Sequence, residues 1–129
     1  MIFTRKQTWG KEATIALIDD SLTFWGIVKK ALMKSSFDGH IACYPFARAF
    51  YDMCVPFPDV VVCDLSMPGD DGWDILKWLK DRDFDGHFIL CTGDSELFED
   101  SFSVQRDVDF IIKPFEPSLF IGKIKECLT

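Results

Sequence analysis

Apolar residues in this chain come in two textures. Short unbroken runs alternate with stripes spaced three and four residues apart. The runs are Thr14-Ile15-Ala16-Leu17-Ile18, Ile41-Ala42-Cys43-Tyr44, Val60-Val61-Val62-Cys63 leading to Asp64, Phe88-Ile89-Leu90-Cys91, and Phe110-Ile111-Ile112. Continuous, largely β-branched runs of this length suit strands buried on both faces. The stripes predict helices: Phe24, Ile27, Val28, Ala31 and Leu32 after a Ser21 cap, then Ala47 to Met53, then Trp73 to Lys80 with Ile75, Leu76 and Leu79 inward. A weaker stripe covers Leu97 to Val104, and Pro117 opens a last helix carrying Leu119, Phe120, Ile124 and Leu128. Gly39 is expected to take the left-handed turn after the first helix. Pro56 and Pro58 stop the second helix.

Strands alternating with helices predict an α/β fold, a parallel sheet covered on both faces. Right-handed crossovers then bring every strand's carboxyl end to one edge. Phe37-Asp38-Gly39-His40 and Phe84-Asp85-Gly86-His87 both precede a strand, which reads as shared turn chemistry and not as an internal repeat. The 129 residues suit one domain with a real core.

Charge and cysteine content narrow the partners. With 14 basic and 21 acidic residues the chain carries −7, which opposes nucleic-acid binding by this domain and favours a protein surface or a cation. No apolar stretch approaches the ~18 residues of a membrane span, and the first residues lack a secretory apolar centre. Five cysteines with no CxxC pair give neither a disulfide framework nor a zinc pattern, so a reducing cytoplasm is expected.

The chemistry collects at the predicted strand ends: Asp19 and Asp20, Asp64, Thr92 and Lys113. Carboxylates at ~4 Å repel by about 4 kcal/mol per pair at an effective dielectric near 20, so a cation is expected among them. Oxygen-only donors suit magnesium better than zinc. A metal, an ammonium and a hydroxyl around one carboxylate provide what phosphoryl transfer onto that carboxylate needs. Asp64, on the central strand, is the nucleophile candidate.

Ile18-Asp19-Asp20, Asp64 with Met67-Pro68-Gly69 and Asp71-Gly72, Thr92-Gly93, and Lys113-Pro114-Phe115 together resemble the CheY-like receiver domain of two-component response regulators. The resemblance covers about Thr14 to Leu128. It implies a flavodoxin-like (βα)5 three-layer sandwich with strand order 2-1-3-4-5, a receiver domain over residues 14–129 and an N-terminal tail over residues 1–13. It further implies phosphorylation of Asp64 by a histidine kinase or histidine phosphotransfer protein. Asp20, Asp64 and the backbone carbonyl of Ser66 would hold Mg2+ directly, and Asp19 through a water. Thr92 and Lys113 would contact the phosphoryl oxygens, Phe110 would be the switch aromatic, and Lys113-Pro114 a cis bond. The partners implied are that phosphodonor and a downstream protein target or output domain, for a stand-alone regulator or a receiver from a longer protein. Such a domain is a phosphoacceptor and not an enzyme, apart from intrinsic autodephosphorylation.

Other residues have plainer readings. Cys63 and Cys91 precede Asp64 and Thr92 on neighbouring strands and read as small apolar residues before a redox clamp. His40 and His87 read as turn residues, and Asp70 as a solvated loop charge. Trp78 lies off its helix's stripe and, with Phe98 and Phe102, forms either a partner patch or core. Trp9, in the N-terminal tail, is expected to pack back onto the domain. Ser66 and Asp94 occupy positions that tune dephosphorylation in the family, and Arg106-Asp107 departs from its usual small residues. Two rival functions stand beside the receiver: an aspartate-nucleophile phosphatase of haloacid dehalogenase type, where Ser66 takes the usual place of the general acid, and a phosphate-independent interaction module.

Overall fold

In the computed structural model, β1 (Thr14–Ile18), β2 (His40–Tyr44), β3 (Val60–Asp64), β4 (His87–Thr92) and β5 (Asp109–Ile112) form one sheet, ordered β2-β1-β3-β4-β5, with every neighbouring pair parallel. The structure describes residues 12–53, 56–93 and 108–128. The helices among them are α1 (Leu22–Lys34), α2 (Ala47–Met53), α3 (Gly72–Lys80) and α4 (Pro117–Leu128). Trp9, the expected helix over Leu97 to Val104 with Phe98 and Phe102, Asp94, and Arg106-Asp107 lie outside the described residues.

The two-faced burial inferred from the apolar runs is met most fully in β3, where Val60, Val61, Val62 and Cys63 are all inaccessible to solvent. Strand side chains alternate between two cores. Ile15, Leu17, Val60, Val62, Ile89 and Cys91 pack with α1 and α4. Ala16, Ile18, Val61, Cys63, Phe88 and Leu90 pack with α2 and α3. Each fully buried large aliphatic or aromatic side chain contributes about 1.5–3 kcal/mol. The helix stripes are narrower than the sequence suggests. Ile27 and Leu119 are exposed, and Val28, Ala31 and Leu32 of α1 and Phe120, Ile121 and Ile124 of α4 do the packing.

Cys63 and Cys91 belong to opposite cores, which removes the geometric basis for a clamp between them. Burial pushes both thiols up, that of Cys91 to about 12.

The left-handed residue after α1 is Ser36 (φ 61°) and not Gly39. The Phe37 N–H donates to the Leu32 carbonyl and the Ser36 N–H to that of Met33, a Schellman closure. After α3 the same closure recurs: Asp83 has φ 60°, the Phe84 N–H donates to Leu79 and the Asp83 N–H to Lys80. Gly39 and Gly86 serve close approach instead. A side chain at Gly39 would run into the Ala13 carbonyl oxygen and the Phe37 ring, and one at Gly86 would sit 2.7 Å from the Asp59 carbonyl oxygen and 2.5 Å from the Phe84 ring. His40 and His87 then donate their N–H groups to those same carbonyls, of Ala13 and Asp59, starting β2 and β4. The echo is thus one turn used twice.

Because backbone atoms fill the space at both glycines, Gly39→Ala and Gly86→Ala should each destabilise the fold by about 1–3 kcal/mol, the usual range for overpacking. Urea unfolding of each variant checks this; wild-type midpoints would refute it.

Candidate functional site

The sheet brings Asp19, Asp20, Asp64, Thr92 and Lys113 to its carboxyl edge. Asp19 directly follows β1, and its N–H still donates to the Tyr44 carbonyl of β2 at 3.0 Å. Its side chain is only 1% exposed. Oδ1 accepts from the Ser21 N–H at 2.9 Å, and Oδ2 accepts from Lys113 Nζ at 2.7 Å. Ser21 caps α1 by accepting from the Phe24 N–H, so the helix leaves the site without displacing the acidic pair. Asp20 is exposed.

Asp64 is the last residue of β3, and Lys113 Nζ lies 3.9 Å from its Oδ2. The Ser66 N–H reaches Asp64 Oδ1 at 3.3 Å. The next residue, Leu65, still donates to the Cys91 carbonyl of β4, which carries the ladder past Asp64. Thr92 ends β4 and is buried, and its carbonyl accepts from the Lys113 N–H at 2.7 Å. The Lys113-Pro114 bond is cis, as expected. Asp19, Asp20 and Asp64 each offer a carboxylate oxygen within 4.8 Å of the others.

These charges set the titration of the site. Burial raises Asp64 above the ordinary carboxylate range; Lys113 and the Ser66 N–H pull it down, and Asp19 and Asp20 add to the rise. For Lys113 burial acts downward, but the hydrogen bond and charge of Asp19, with the charge of Asp64, leave the ammonium above its usual value. Hard oxygen donors crowded around a carboxylate, with one ammonium between them, fit a small divalent cation such as magnesium.

The family model of the response regulator receiver domain matches residues 15–125. The chain belongs to that family. It is 28% identical over 117 residues to the chemotaxis protein CheY of Bacillus subtilis, covering 89% of this chain and 97% of CheY. It is 34% identical over 79 residues to the C4-dicarboxylate transport transcriptional regulatory protein DctD of Pseudomonas aeruginosa, covering 58% of this chain but 16% of DctD. The BeF3-activated receiver domain of DrrB, from Thermotoga maritima, superposes with a TM-score of 0.78 at 24% identity, over 92% of this chain and 98% of that one. The match thus spans nearly all of CheY but only a small part of DctD. Receiver domains generally bind Mg2+ at an acidic site, and response regulators work between kinases and outputs. No helix among the described residues is long and apolar enough to cross a membrane.

Phe110, expected as the switch aromatic, is half-buried on β5 with its ring centroid 5.9 Å from that of Trp73 at the start of α3. Ser66 is exposed in the loop after Asp64. Several contacts are not evident from sequence. The Phe24 ring centroid lies 4.4 Å from Lys113 Nζ, within cation–π range. The Trp25 indole N–H donates to the Asp19 carbonyl at 2.7 Å. Both residues sit in the first turn after the acidic pair, which is the signal that could have flagged them. Asp70 is no merely solvated charge, because Oδ2 accepts from the Tyr51 hydroxyl at 2.7 Å. Trp78 is not an exposed patch residue; it stacks on Tyr51 at 4.4 Å with the Arg82 guanidinium 4.1 Å from its ring centroid. His40 and His87 are exposed and lie at the opposite edge.

An acid whose folded pKa is raised loses stability as it ionises, that is, as pH climbs through the folded value. In divalent-free buffer near neutral pH, Asp64→Asn should therefore unfold at higher urea than the wild type. The advantage should vanish below about pH 4, where the carboxyl is protonated folded and unfolded alike. Urea midpoints across that range check it, and a wild type at least as stable as the variant at neutral pH would contradict it.

Proposed function

We propose that this receiver is the phosphoacceptor of a two-component or phosphorelay pathway, taking a phosphoryl group onto Asp64 from the phosphohistidine of a histidine kinase or histidine phosphotransfer protein. The observation that carries this reading is the Asp64 carboxylate held among two further carboxylates with the Lys113 ammonium 3.9 Å away. An Asp64 oxygen attacks phosphorus, the O–P bond forms as the P–N bond breaks, and the donor imidazole keeps the electron pair. Asp20, Asp64 and the Ser66 carbonyl would hold Mg2+ directly, with Asp19 acting through a water. The ion supplies neutralisation of charge on the transferred group. Lys113 and the Thr92 hydroxyl contact the phosphoryl oxygens, which holds the new acyl phosphate in place.

The switch follows from the added charge, roughly −1.5 to −2, with three acceptor oxygens. Charge-assisted hydrogen bonds contribute about 1.5–3 kcal/mol each. Two or three suffice for the ~5.5 kcal/mol that moves a 1:99 equilibrium to 99:1. Thr92 is drawn toward the phosphoryl group, Phe110 turns into the space that opens, and the surface around β5 changes for a downstream protein target or output domain. The domain works in the cytoplasm, over residues 14–129.

Incubation with Mg2+ and acetyl phosphate should give one acid-stable, base-labile phosphoryl group per chain, absent from Asp64→Asn, with amide shifts moving from Thr92 to Lys113. Rapid multiple turnover would favour the haloacid dehalogenase-type phosphatase, and absence of any adduct the phosphate-independent module.

A further inference from the structure

The loop from Leu65 to Asp71 carries the chain from Asp64 to α3 and is fastened at both ends. The Leu65 N–H is held by Cys91, the Gly72 N–H donates to the Leu65 carbonyl, and Asp71 and Asp74 cap α3 reciprocally at 2.9 Å each way. Between these ends the loop borders a cavity of about 590 Å3, lined by Asp20, Pro45, Phe46 and Tyr51 on one side and Pro68 and Asp70 on the other. A loop beside open space needs a tether if the backbone it presents to the acidic cluster is to stay in one place.

Tyr51 supplies one. From α2 its hydroxyl donates to Asp70 Oδ2 at 2.7 Å, one residue after Gly69, which turns the loop at φ 81°. The phenol ring is itself immobilised: it stacks on Trp78 at 4.4 Å and 29°, and lies 6.3 Å from Phe50, which is wholly buried. Arg82 covers the Trp78 ring at 4.1 Å from its centroid and is itself held there by Nη1 donating to the Trp78 carbonyl at 3.0 Å. Burial, then the hydrogen bond to Asp70, push the phenol upward, so it stays a donor at physiological pH. The path therefore runs from the aromatic layer of α2 and α3 through one hydroxyl to the loop that contains Ser66.

We propose that Tyr51 is a positioning residue for the cation site, tethering the Ser66–Asp70 segment through Asp70 so that the Ser66 carbonyl is preorganised beside Asp20 and Asp64. The inference rests on the receiver reading above. Tyr51 acts through Asp70 and is assigned no direct contact with the cation or the phosphoryl group. Its effect is to spare binding the cost of ordering the loop.

Tyr51→Phe removes the hydroxyl and keeps the stacked ring. Titration calorimetry with Mg2+ alone should show about three- to tenfold weaker binding, the equivalent of one ordinary intramolecular hydrogen bond. Asp70→Ala also removes a negative charge, so the decisive quantity is the double-mutant cycle. Tyr51→Phe should cost little or nothing further in the Asp70→Ala background. Urea unfolding without Mg2+ runs alongside, since a purely structural role would move the midpoint and leave the affinity alone. Wild-type affinity in Tyr51→Phe, or additive losses in the double variant, overturns the inference while the receiver reading stands. A wild-type protein that takes up no Mg2+ overturns both.

Discussion

The ion pair between Asp19 and Lys113 is the constraint on which the site depends. It joins residues 94 positions apart, at the ends of β1 and β5, with β3 and β4 lying between them in the sheet. A carboxylate 1% exposed cannot be left uncompensated, since breaking a buried pair typically costs about 3–5 kcal/mol. The Ser21 N–H and the Lys113 ammonium together provide that compensation, and the pair spans the crevice in which Asp64 stands. One ammonium serves two carboxylates at unequal distances, 2.7 Å to Asp19 and 3.9 Å to Asp64. Asp19 thus holds the lysine close to the Asp64 carboxylate without its being spent on that group.

Aromatic side chains fix that ammonium further. Phe24 faces it, Phe115 meets Phe24 edge-on at 5.8 Å, and Phe115 stacks on Phe120 of α4 at 5.6 Å. The charge network at the carboxyl edge is therefore continuous with the core beneath α1 and α4. On the other side of the sheet, Tyr51 and Trp78 connect the loop after Asp64 to the core beneath α2 and α3. Each face of the sheet reaches the site through its own aromatic group.

Much of this was legible in the sequence, for identifiable reasons. Unbroken apolar runs ending in Asp or Lys mark buried parallel strands and the groups they deliver, and the burial of Val60 through Cys63 is that pattern realised. Local spacing does not reveal which residues meet across the sheet. Its place one turn after the acidic pair puts Phe24 near the site, but that spacing does not say that a lysine far along the chain will sit over its ring, and nothing near Asp70 indicates a tyrosine hydroxyl. Glycine is the usual left-handed residue, which is why Gly39 reads as one, whereas Ser36 takes that conformation and Gly39 answers a steric demand imposed by the Ala13 carbonyl just before β1. Ile27 and Leu119 fell to the opposite limitation: a periodic stripe does not say how wide the buried face is.

The repeated turn before β2 and β4 has a geometric consequence at a distance. A strand is a stiff ruler of about 3.3 Å per residue, so whatever sets its zero mark also sets its far end. For β4 that mark is Gly86, seated against the Asp59 carbonyl, and the far end is Thr92, ~20 Å away by the same spacing. A slip of one residue would turn the Thr92 hydroxyl to the other face and exchange the two cores. The calibration of the carboxyl edge is thus kept at the opposite rim, by a residue with no side chain.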